Sequence, residues 1–194
     1  MADVVEQVVA EVAGLGVGRV LLWGHSSGTA YAVETARRLQ ERGVDVERVF
    51  LAAQLPGDAA DRRAAIADLT QRSSADITAR LSADGGYTEL GQLDAQRVEH
   101  VGAAYRHDGV SAHRYLADAL DAPPEVRLSA PVTVVVAADD PSTAQYARRH
   151  RDWELLAEHV DLHEIPDGGH YFLRTRPTEA AQAVLRAADL FASS

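Results

Sequence analysis

The chain has 194 residues, 46% of them hydrophobic and 25% charged. That is enough for one globular domain and too apolar for a disordered tail or a collagen-like repeat. Nineteen basic against twenty-nine acidic residues leave a net charge of −10, so neither nucleic acid nor an anionic membrane is expected as the main partner, because phosphate binding needs a basic face. Cysteine is absent, which excludes disulfides, thiolate catalysis and thiolate-held zinc. No run of about 18 apolar residues spans a bilayer. The N-terminus lacks the basic and apolar regions of a signal peptide, and the expected location is cytoplasmic.

In chain order, Val4, Val5, Val8, Val9 and Val12 recur at helical spacing over residues 3–13. Gly14, Gly16 and Gly18 end that helix. Residues 19–23 (RVLLW) read as a buried parallel strand between glycines. A helix runs from Gly28 to about Arg42, with Gly43 where a left-handed C-terminal glycine belongs. Residues 47–53 (ERVFLAA) form a second strand, and strand–helix–strand alternation implies right-handed crossovers in a parallel α/β sheet.

From Pro56 to about Pro124 strand-like runs vanish. Short helical pieces over 61–71, 75–82, 94–105 and 111–120 are expected, separated by Gly85-Gly86, Gly91 and Gly109. This reads as a helical insertion (56–124) into a core formed by 1–55 and 125–194. The sheet resumes at 132–138. A helix over about 142–157, a strand at 160–165, a Pro-Asp-Gly-Gly loop and a closing helix from about Thr178 complete the chain.

The sharpest motif is Gly24-His25-Ser26-Ser27-Gly28, a G-x-S-x-G lying between an apolar strand and a helix start. A tight turn there forces the serine into strained backbone angles and exposes its hydroxyl at the helix N-terminus. Only Ser26 fits the frame, since Ser27 would need a glycine at His25. Such a serine needs a base and an acid that orients the base. Asp139-Asp140 follows one later strand and His170 another, so all lie at the C-terminal edge of the sheet, in the order serine, acid, histidine. Gly14-x-Gly16-x-Gly18 precedes a strand and so fails as a dinucleotide loop. His159 and His163 lack a third metal ligand and read as ordinary strand residues. The Asp61-Arg62-Arg63 and Arg148-Arg149-His150-Arg151 runs read as solvated helix faces, the second also able to meet an acidic partner.

These residues resemble the thioesterases of polyketide and nonribosomal peptide synthesis, particularly the stand-alone type II editing enzymes. Gly24-His25-Ser26 followed by Ala32-x-Glu34-x-Ala36 is similar to their elbow and helix, and Arg106-x-Asp108 with Tyr115 to a lid motif. Asp140-Pro141, Trp153 and Gly168-Gly169-His170-Tyr171-Phe172-Leu173 resemble their closing section. The resemblance implies an α/β-hydrolase-type parallel sheet, N-terminally shortened, with a helical lid. It implies Ser26, Asp140 and His170 as the catalytic triad, with Asp140 and not Asp139 as the acid.

It further implies hydrolysis of acyl or aminoacyl thioesters on the phosphopantetheine arm of an acyl or peptidyl carrier protein, with no metal or redox cofactor. Some release thioesterases take their acid from the position of Ala53, which carries none here. A chain-releasing thioesterase or cyclase is the alternative enzyme, and a non-catalytic or partner-completed subunit the alternative from another class. The resembled enzymes carry earlier strands and a loop that supplies a second oxyanion donor, which leaves the Ser27 N–H for that role; one donor is worth ~2.7–4 kcal/mol. Without those strands 19–23 becomes a sheet edge, expected to be covered by self-association or by a complementing N-terminal segment.

Overall fold

The computed structural model describes residues 1–83 and 87–192; the expected Gly85-Gly86 break lies outside them. Four strands, β1 (Arg19–His25), β2 (Asp45–Ala52), β3 (Val132–Ala137) and β4 (Val160–Ile165), form a sheet in the order β1-β2-β3-β4. Every neighbouring pair is parallel. All six residues of β3 are buried, which explains its unbroken apolar run: a strand covered on both faces has no polar side to alternate with. β1 is an edge, half-exposed along most of its length.

Helices α1 (Ala2–Gly14) and α2 (Gly28–Glu41) cover one face. Val5, Val9, Val33, Ala36 and Leu39 pack there with Val49, Leu51, Val132, Val134 and Val136. On the other face Phe50, Ala52, Val135, Ala137 and Ile165 meet Phe172, Ala180 and Ala183, carried by the late helices α7 (Phe172–Thr175) and α8 (Pro177–Ala192).

Between β2 and β3 lie α3 (Ala59–Gln71), α4 (Ser74–Ala83) and α5 (Ala95–Asp121). Here the structure departs from the expected short pieces. α5 is a single helix of 27 residues that runs through Gly102 and Gly109. A Cβ on Gly102 would lie 2.4 Å from the Ser74 Cα, and one on Gly109 would lie 2.8 Å from Leu69 Cδ1. The glycines are contact points where α4 and α3 press against α5, and that packing outweighs the propensity cost of about 1 kcal/mol each. The helix expected over 142–157 is likewise divided, into a 3₁₀ turn at Pro141–Thr143, α6 (Tyr146–Arg149) and a second 3₁₀ turn at His150–Leu155. This winding puts Trp153 wholly in the core, its indole N–H donating to the Gln54 carbonyl at 3.2 Å.

Candidate active site

Ser26 follows β1 and precedes α2 with φ 54°, a left-handed conformation that is costly for a residue with a side chain. The turn is held from both sides. The Ser26 N–H donates to the Ala52 carbonyl at 2.8 Å, and the Ser26 carbonyl accepts from the Thr29 hydroxyl at 2.7 Å. Of the two motif glycines, only Gly24 is sterically required. A Cβ there would lie 2.3 Å from the Gly28 carbonyl oxygen, whereas one on Gly28 would meet nothing within 4 Å.

His170 ends a loop after β4 in which Gly168 and Gly169 have φ of 127° and 62°. Its Nε2 is 3.0 Å from Ser26 Oγ, and its Nδ1 is 3.0 Å from Asp140 Oδ2. Serine, imidazole and carboxylate therefore form one hydrogen-bonded series. Asp140 is 1% exposed, and Ser142 donates to its Oδ1 through both N–H (2.9 Å) and hydroxyl (2.7 Å). Desolvation raises the Asp140 carboxyl, but hydrogen bonds from His170 and Ser142 outweigh it and hold the group below the usual carboxylate range. Asp139 takes a different position, accepting from the Gly169 and Gly168 N–H groups at 2.8 and 3.2 Å. It pins the histidine loop and does not touch the imidazole.

Ser27 caps α2, where the first backbone N–H groups have no intrahelical acceptors, and it lines a small cavity with Ser26. In front of the series lies a cleft of about 670 Å³, bounded by Ser26, His170, Ser142 and Tyr171 on the core side and by Leu69, Ile77, Leu81 and Tyr105 on the insert. Among the described residues no cluster of His, Asp and Glu is arranged to hold a metal ion.

Three supporting contacts escaped sequence reasoning. The His25 Nε2–H donates to the His170 carbonyl at 2.8 Å. Burial, with the His170 charge nearby, lowers His25 to about 4, so at neutral pH it is an uncharged brace. Ser142 is the second; a D-P-S sequence in which Asp140 caps a turn was its available signal. The third is Arg62, which was expected on a solvated face. Its guanidinium instead turns inward to the carbonyls of Leu55 and Pro56 and to His113 Nδ1 (3.1 Å), passing over Gly57, where a Cβ would stand 3.2 Å away. A helical period alone gives no sign that a first-turn arginine can reach back across a glycine.

The alpha/beta hydrolase family profile matches residues 1–183. A Streptomyces griseus protein described as "Probable cadicidin biosynthesis thioesterase" is 30% identical over 170 residues, 84% of this chain and 44% of that protein. The chain thus spans under half the length of this curated relative. Among solved structures, the RedJ thioesterase from the prodiginine pathway of Streptomyces coelicolor aligns over 97% of this chain and 70% of its own, at 22% identity and TM-score 0.71. The type II thioesterase BorB from the borrelidin cluster aligns over 96% and 72%, at 20% identity and TM-score 0.66. A nucleophile-elbow turn, an acid and a histidine after later strands of a parallel sheet, and a profile match over nearly the whole chain all point one way: the chain belongs to the alpha/beta hydrolase family.

Proposed function

We propose that the chain is a serine thioesterase of the type II kind, hydrolysing acyl or aminoacyl thioesters on the phosphopantetheine arm of a carrier protein. The observation that carries this reading is the Ser26–His170–Asp140 series, with its two 3.0 Å contacts, at the floor of a cleft large enough for an acyl chain. Similarity to biosynthetic thioesterases supports the choice of thioester over other carbonyl substrates.

In this mechanism the Nδ1–H of His170 donates to Asp140, which leaves Nε2 unprotonated and facing the Ser26 hydroxyl. Ser26 Oγ attacks the thioester carbonyl as Nε2 takes its proton. The Ser27 N–H meets the oxyanion. His170 then returns the proton to the departing thiolate. A water molecule, deprotonated by the same nitrogen, releases the acid from the acyl-serine. Residues 56–124 serve as the lid over the acyl chain.

The test is incubation with an acyl-loaded carrier protein, followed by intact-mass analysis. An adduct of acyl mass on Ser26, absent in Ser26→Ala and present in Ser27→Ala, is expected. An adduct on any other residue refutes the assignment.

A further inference from the structure

Arg62 sets the protonation of a second histidine beside the nucleophile. The guanidinium is half-buried, and it spends its donors on two backbone carbonyls and on His113 Nδ1. An arginine stays protonated and only donates, so His113 Nδ1 must be the acceptor and the imidazole proton must sit on Nε2. Burial, with the Arg62 charge added to it, lowers His113 to about 4, which keeps the ring neutral at physiological pH. The Nε2–H lies on the far side of the ring from Arg62, and among the described residues it has no protein hydrogen-bond partner.

His113 lines both cavities that contain Ser26. One is the main cleft. The other is a recess of about 50 Å³ that Ser26 and Ser27 share with the apolar Leu69, Ala112 and Leu116 and with the polar Thr29, Gln54, Arg62, Tyr105 and His113. It is far smaller than the main cleft of about 670 Å³, so it suits a small oxygen-bearing branch of the acyl group while the chain takes the cleft. It borders the nucleophile, so it receives what is attached within the first carbons of a bound acyl group. The Thr29 hydroxyl and the Gln54 amide already donate to backbone carbonyls, and Arg62 is committed to two carbonyls and to His113. The His113 N–H favours a ligand that brings an acceptor, because a site built to hydrogen-bond a substrate oxygen disfavours the analogue that lacks it.

We propose that His113 is a specificity-determining residue whose Nε2–H hydrogen-bonds a hydroxyl or keto oxygen on the β-carbon of the acyl group presented to Ser26. The favoured substrates are then β-oxygenated acyl thioesters, discriminated from fully reduced chains of the same length. The choice of a thioester as ligand rests on the reading of the site as a thioesterase.

The test separates binding from turnover. Dissociation constants for 3-hydroxyhexanoyl and hexanoyl N-acetylcysteamine thioesters are measured on Ser26→Ala, which leaves both ligands uncleaved, with and without His113→Phe. The 3-hydroxy ligand is expected to bind about ten-fold more tightly, and His113→Phe to bring the ratio within about two-fold, the scale of one net hydrogen bond. His113→Gln, which restores an N–H, should recover part of the preference. Imidazole ¹⁵N spectra of Ser26→Ala need no change at 113: the His113 Nε2 signal should be that of a protonated nitrogen and should move with the 3-hydroxy ligand only. Equal affinities, a ratio that survives His113→Phe, or an unmoved Nε2 signal overturns the proposal. Turnover by the enzyme with Ser26 intact reports on the other reading. If neither thioester is cleaved while the binding preference holds, the thioesterase assignment falls and the role of His113 stands.

Discussion

Replacing Asp140 by asparagine has an outcome that the surrounding hydrogen bonds determine. The Oδ1 position receives two donors from Ser142, at 2.9 and 2.7 Å, so the asparagine must keep its carbonyl oxygen there. Turning the amide over would face NH₂ against the Ser142 N–H and leave that donor unmet, at about 1–3 kcal/mol. The NH₂ therefore takes the Oδ2 position, 3.0 Å from His170 Nδ1, and donates to it. His170 then carries its proton on Nε2, which faces Ser26 Oγ and no longer accepts. Loss of the correct tautomer costs about ten-thousand-fold in kcat where this arrangement operates. Ser142 Oγ, 3.1 Å from Nδ1, offers a neutral acceptor that retains some of the productive tautomer. Asp140→Asn should thus fall about a thousand- to ten-thousand-fold, and Asp140→Asn/Ser142→Ala further still. Asp139→Asn keeps one oxygen for the Gly169 N–H and should lose under about ten-fold. Steady-state thioester hydrolysis, with urea midpoints to monitor folding, measures the series. If Asp139→Asn is the more damaging change, or Asp140→Asn stays within about ten-fold of the parent, the reasoning is refuted.

The elbow glycines should separate: Gly24→Ala, with its Cβ 2.3 Å from a backbone oxygen, should abolish activity and lower the melting temperature, while Gly28→Ala should keep both, and equal effects would refute the close-approach argument. His25 titrates near pH 6.5 when unfolded and near 4 when folded, so the unfolded state binds more protons as pH drops between those values. Stability should fall across that window, by roughly 2 kcal/mol at pH 5 for this residue, with His113 adding in the same direction; the gap between urea midpoints at pH 7 and pH 5 should narrow by about half in His25→Gln, and a pH-independent parent would sink the idea. Leu21 is 38% exposed on edge strand β1, and we expect this edge to be covered by a second copy or by a strand-supplying segment. Light scattering with hydrogen exchange checks it, and a stable monomer whose outward Val20–Trp23 amides exchange quickly would count against it.

The parts legible in the sequence are those whose cause is local. The apolar run of 132–137 has no polar alternation because both its faces are buried, and the elbow glycine, the two aspartates and His170 stand where strands end. What stayed hidden depends on neighbours distant in sequence. Gly109 looks like a helix breaker until Leu69 is seen against it. Arg62 looks solvated until Gly57 lets it fold back. His25 is an unconstrained position in the G-x-S-x-G pattern, yet its imidazole holds the carbonyl of the histidine 145 residues away.

The elbow itself shows how the fold maintains an unfavourable backbone. Ser26 and Ala53 are the non-glycine residues with positive φ among those described, at 54° and 56°, and they end neighbouring strands. Each such conformation costs of order 1–3 kcal/mol and persists only where its surroundings over-determine it. Here the bracing is sequential. The Ser26 N–H is held by the Ala52 carbonyl at 2.8 Å, and the Ala53 N–H by the Val135 carbonyl at 2.9 Å. Ser26 is thus tied to β2, and β2 in turn to the fully buried β3. A glycine at position 26 would relieve the strain but remove the hydroxyl, so the chain keeps a serine and lets the sheet interior hold it in place. Softening β3, as by Val135→Ala, is therefore expected to reach Ser26 through these backbone bonds.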